Sequence, residues 1–109
     1  MLENWGVFRM VDSKSMKKEL LNMLDNSDST FDERVEKLKF SRFDGIPRIM
    51  MVRHGLDYDT ACRMVVECLD LRRPYYMDFL RGNISKDEWF GRRKEIDMLV
   101  IARYTGMLN

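Results

Sequence analysis

The sequence predicts an all-α fold: a compact orthogonal bundle of about five to six short helices with a long C-terminal helix. Three observations predict it. Capping residues precede apolar stripes of helical period at several points along the chain. Glycines stand just past the ends of those stripes. The most apolar short run, residues 98–102 (MLVIA), is flanked on both sides by helical spacing, which favours helix over strand.

The elements follow in order. Residues 1–11 hold Trp5, Val7 and Phe8 around a glycine and read as an N-terminal arm, a short strand or a ragged helix, expected to dock on the core or on a neighbouring subunit. Asp12 or Ser13 caps a first helix carrying Met16, Leu20, Met23 and Leu24. Thr30 with Glu33 makes a capping box for a second helix, striped by Phe31, Val35 and Leu38. Phe40 and Phe43 enrich its last turns, and Gly45 is expected to end it. Pro47 suits the first turn of a third helix, which Gly55 stops. Asp57 caps a fourth, with Ala61, Met64, Val65, Cys68 and Leu69 on one face. Pro74 is expected to break it, leaving a short fifth helix from Tyr75 to Arg81 before Gly82. Ser85 with Glu88 opens the last and longest helix. Its stripe is Trp89, Ile96, Val100 and Tyr104, with Arg93 set into it. Residues 98–102 are apolar nearly all round, so that turn is expected either at the centre of the core or under another chain. Gly106 ends the helix.

One domain, residues 1–109, accommodates all of this; no internal repeat or long linker divides it. The hydrophobic share of 45% and charged share of 34% are those of a globular chain rich in charge. The net charge of +1 provides no global field toward nucleic acid or anionic membrane. Residues 1–44 sum to −1 and residues 45–109 to +2, and nine of the eleven bases in the second part are arginine. Arginine forks onto carboxylates and phosphates and stacks on rings. The bland reading is ion pairing within the fold; the functional one is a partner or phosphate patch.

Catalytic groupings are poor. The chain has one histidine and two cysteines. On one helix, Cys62 and Cys68 would sit about 9 Å apart along the axis and about 240° around it, too far apart to bridge. Both read as buried thiols in a reducing compartment. Asp57 and Asp59 read as capping and dipole residues. No catalytic residue, metal ligand or cofactor is expected, and the chain is not expected to be an enzyme. No secretory signal or membrane-spanning run is visible, so a cytoplasmic location is expected. Abundant methionine, scarce alanine and absent glutamine fit a phage or viral accessory protein, which would act in the host cytoplasm.

Three local resemblances stand in the sequence. The string MVRHG, ending in Arg53-His54-Gly55, resembles the active-site motif of the histidine phosphatases. That family also needs a second histidine and a much larger α/β domain, and His54 stands alone here. As a helix end, a cationic His54 would suit the carbonyl pole of the dipole. Ile49–Val66 resembles the helix-turn-helix of DNA-binding domains, with Gly55 in the turn. It departs from that pattern at Met51, where a small residue is usual, and at Asp57 and Asp59, which repel phosphate. Phe79–Leu99 is similar to the short C-terminal helical hairpin called SHOCT and implies an assembly role without chemistry.

The expected function is therefore contact: a module that self-associates or binds and modulates, by inhibition for example, a larger host or cellular protein. The expected interaction residues are Trp89, Phe90, Arg92, Arg93, Arg73, Tyr75 and Tyr76. The alternatives are nucleic-acid binding through Arg48, Arg53, Arg63 and Arg72, and an oligomeric binder of a phosphorylated small ligand such as a nucleotide.

Overall fold

A computed structural model describes residues 19–22, 24 and 29–106. Among these there are five helices and no strand. The expected arm and the cap of the first helix lie outside the described residues. Helix α1 is described at residues 19–22 and 24, and its Leu20, Leu21 and Leu24 are buried. Then come α2 (Phe31–Lys39), α3 (Gly45–His54), α4 (Tyr58–Leu80) and α5 (Lys86–Tyr104).

The caps form where the sequence places them. Thr30 Oγ1 accepts from the Glu33 N–H at 3.1 Å, and the Glu33 carboxylate accepts from the Thr30 N–H at 2.7 Å. Asp57 and Ser85 accept from Thr60 and Glu88 N–H groups at the starts of α4 and α5. Gly55 takes φ of +67° after α3, and Gly82 and Gly106 take similar left-handed values after α4 and α5, a region where other L-residues are strained.

Two expected boundaries are corrected. Gly45 does not end the second helix. That helix stops at Lys39, and Gly45 is the first residue of α3. The cause is Ser41, whose hydroxyl donates to the Leu38 carbonyl at 2.8 Å and accepts from the Phe43 N–H at 3.1 Å, a local bond that competes with helix continuation. Phe43 is thereby turned into the core, and Phe40 is left exposed. The second correction is Pro74. It lies inside α4, which runs unbroken for 23 residues and absorbs the expected fifth helix. A mid-helix proline costs about 3 kcal/mol. Leu69 and Tyr76 are buried on either side of it, and Leu69 alone contributes roughly 1.5–3 kcal/mol by leaving water. Pro74 itself faces solvent, so its ring displaces no core side chain.

Helix α4 is the axle of the bundle. Ala61, Cys62, Met64, Val65, Val66, Cys68 and Leu69 are all buried, and α2, α3 and α5 pack around it. Charged groups fasten the periphery. Lys39 Nζ reaches Asp59 at 2.6 Å, and Arg63 spans Asp59 at 2.9 Å and Asp32 at 2.8 Å, tying α2 to the start of α4. These two cations, Lys39 foremost, hold the Asp59 carboxyl below its ordinary value. Arg34 meets Asp70 at 2.7 Å, and Arg73 donates to the Leu21 carbonyl at 3.2 Å, which brings α2 and α1 onto the middle of α4.

Candidate contact face on the α4–α5 hairpin

Helix α5 lies against α4 with one side only. Trp89 is 2% exposed and sits 5.3 Å from the Tyr76 ring and 6.4 Å from Phe79, nearly parallel to the latter. One turn and two turns further on, Arg93 and Asp97 reach the same side. Arg72, 3% exposed, forks onto the Asp97 carboxylate, its Nε at 2.9 Å. Val100 is fully buried, and the Tyr104 hydroxyl donates to Glu67 at 2.9 Å. The sequence predicted Trp89, Arg93, Val100 and Tyr104 on this side, together with Ile96, which is partly buried against the core; Asp97 was not in the predicted stripe.

The other side of α5 packs on no other helix among the described residues. Phe90 is 43% exposed, Met98 63% and Leu99 50%. Of the two expectations for residues 98–102, central burial therefore fails for Met98 and Leu99. Leu99 falls between two cross-helix contacts. Arg92 lies over the Tyr75 ring at 5.6 Å, and Arg103 pairs with Glu67. Leu71 lies one turn from both Glu67 and Tyr75 and is also exposed. Helical spacing thus places Leu71 and Leu99 on one flank of the hairpin, bracketed by those two contacts.

The expected interaction residues separate accordingly. Trp89 and Tyr76 are core, so neither is a surface anchor, and the Tyr76 hydroxyl is buried without a hydrogen-bond partner. Arg73 is half-buried and holds Asp70 and the Leu21 carbonyl. Tyr75 is half-buried under Arg92, which also reaches Glu95 at 3.7 Å. Phe90 is at the surface, with Arg93 at 5.1 Å and Lys86 at 5.5 Å from its ring centre. Arg93 is half-buried; that burial, with Arg72 nearby, lowers its pKa. Sequence reasoning singled out Met98 and Leu99 only as part of the apolar turn at residues 98–102, and did not single out Leu71 or Gly91 as contact residues.

The arginines of the nucleic-acid alternative are mostly engaged. Arg48 reaches Asp44 at 3.3 Å and covers the Tyr58 ring at 4.7 Å. Arg63 spans two carboxylates, and Arg72 is buried on Asp97. Arg53 is exposed. The order α3, Gly55, α4 is the helix–glycine–helix succession of that resemblance, and Ala61 and Met64, its inward positions, are buried. On the same turns Asp59 and Arg63 are engaged with Lys39 and Asp32 of α2.

Chemistry is equally constrained. His54 is held below its ordinary pKa by burial and by Arg53, so the neutral ring is favoured, against the expectation of a cationic helix end. Cys62 and Cys68 are free and buried. Burial pushes the Cys68 thiol up to about 12 and raises Cys62 as well, which opposes the thiolate a nucleophile or metal ligand requires. Among the described residues no three His, Cys, Asp or Glu side chains converge as a metal site, and no helix is long and apolar enough to cross a membrane. A cavity of about 70 Å³ opens between Met50, Met64, Leu69 and Ile101, with the Arg72–Asp97 pair at its edge. Small-molecule pockets run to roughly 300–1,000 Å³, so this one does not admit a nucleotide. No family model, no curated protein and no solved structure matches this chain.

Proposed function

We propose that this domain is a protein-contact module that docks through the outward face of α5, on a second copy of itself or on a larger protein whose activity it modulates. The observation that carries the reading is where the apolar surface lies. Of the eight exposed large apolar side chains among the described residues, six are on the α4–α5 hairpin: Leu71, Met77, Leu80, Phe90, Met98 and Leu99. Single exposed apolar residues are ordinary, whereas several on one helical hairpin suit an interface. Arginines and a half-buried tyrosine rim this surface, as at many protein contacts.

A nucleic-acid role has less support, because three of its four candidate arginines already hold carboxylates. The two readings part on salt. Phosphate binding weakens steeply as ionic strength rises, while apolar docking persists. The test is light scattering and affinity capture with the wild type and with a Met98→Ser/Leu99→Ser variant. The reading expects association in the wild type, retained at high salt in its apolar part, and lost in the variant with the fold intact. Equal association by both proteins would refute it.

A further inference from the structure

Helix α5 contains a glycine that its own fold does not require. Gly91 sits in the helix interior, exposed, and a Cβ added there would meet nothing within 4 Å. Its φ is not positive. Glycine in a helix interior disfavours the helix relative to alanine, and no neighbour among the described residues offsets that. The bare backbone there leaves room for a close approach from outside. Asp87, Gly91, Lys94 and Met98 follow one another at spacings of four, three and four, so they form one outward row. All four are exposed.

The two charges on this row have opposite sign about the glycine: Asp87 precedes it and Lys94 follows it. Off the row, Lys86 and Glu88 precede the glycine and Arg92, Arg93 and Glu95 follow it. Asp87 and Glu88 make no ion pair within the chain among the described contacts. We infer that the partner of this face is a second copy of the chain, with the two α5 helices antiparallel and crossing beside Gly91. In that arrangement Asp87 falls opposite Lys94 of the second copy, and Glu88 lies near Arg92, each pair occurring twice by symmetry. Phe90 lies next to the two-fold axis. Met98 falls opposite the turn at residues 82–85 of the second copy. A parallel pair would set Asp87 against Asp87 and Lys94 against Lys94, which like-charge repulsion disfavours. The isologous antiparallel contact is the self-complementary one.

This inference rests on the contact reading but commits it to one partner, and charge reversal tests it separately. Sedimentation velocity is run from low micromolar to about 1 mM, the range over which weak dimers appear, for wild type, Lys94→Glu, Asp87→Lys, an equimolar mixture of the two, and Gly91→Ala. Helix content is checked by circular dichroism. The wild type should dimerise. Each charge reversal should weaken dimerisation about tenfold, since two attractive pairs become repulsive, and the mixture should recover it as a heterodimer. Gly91→Ala should raise the melting temperature of the monomer while weakening the dimer, opposite signs that a purely structural glycine would not give. A wild type still monomeric at about 1 mM, or a dimer indifferent to both reversals, would overturn the inference. If the wild type stays monomeric while Met98→Ser/Leu99→Ser abolishes capture of a larger protein, the contact reading survives and the self-pairing falls.

Discussion

Helices α4 and α5 look alike on paper and live in different surroundings. Both are long, capped at the N-terminus by an acidic or hydroxyl side chain, ended by a left-handed glycine, and rich in arginine and apolar residues. Helix α4 is enclosed by three neighbours. Among the described residues, helix α5 packs on α4 alone. In α4 an arginine serves the fold, as Arg72 does on Asp97. In α5 Arg92 pairs with Glu95 of its own helix and Arg103 with Glu67 of α4, while Lys94 stands exposed at the surface. The same composition is structural when surrounded and available when not.

The largest effect should come from the seam between the two helices. Trp89→Ala removes the ring that Tyr76 and Phe79 pack against and should cost about 3–5 kcal/mol in urea or thermal unfolding. No loss of stability, with association alone impaired, would mean that the ring serves an interface after all. Arg72→Ala should come next, at about 3 kcal/mol, because it strands the Asp97 carboxylate. Arg72→Met with Asp97→Leu should recover much of that loss, since an apolar pair leaves no unpaired charge.

Alkaline pH should then loosen the inner side selectively. The folded Cys68 keeps its proton up to about 12, against 9.0 for the unfolded thiol. Between those values the unfolded chain binds fewer protons than the folded one, so stability falls as pH rises, by about 1.4 kcal/mol per pH unit for one fully shifted group. Cys62, Tyr58, Tyr76 and Tyr104 are raised as well and act in the same direction. Denaturant titrations at pH 7, 9 and 10 check this, and flat stability across them would contradict it. The smallest effect on stability should come from the outer side. Met98→Ser/Leu99→Ser should change it by no more than about 0.5 kcal/mol.

Which parts of this were legible in the sequence follows from the range of the forces. Thr30, Asp57 and Ser85 satisfy N–H groups a few residues away, and Gly55, Gly82 and Gly106 close the helices they follow. Such local bonds leave a sequence signature, and those boundaries were readable. Gly45 and Pro74 misled because their usual effect is a propensity that tertiary context overrides. Ser41 ended α2 before Gly45 was reached, and burial on both sides of Pro74 carried α4 through it. The stripe of Trp89, Ile96, Val100 and Tyr104 was readable as an inner face. Which arginines would find carboxylates was not, because the Arg34–Asp70 and Arg72–Asp97 pairs join residues 36 and 25 positions apart. The apolar turn at residues 98–102 announced that something must cover it, and only the packing of α4 showed that Met98 and Leu99 lie outside the core.

The central claim is that this domain acts by contact through the outward face of α5. Its most direct test is to compare wild type with Met98→Ser/Leu99→Ser, matched for melting temperature, in light scattering across concentration and in capture from cytoplasm. The account predicts that the wild type associates, with itself or a captured protein, and that the variant does neither while remaining folded. Association undiminished in the variant would contradict it.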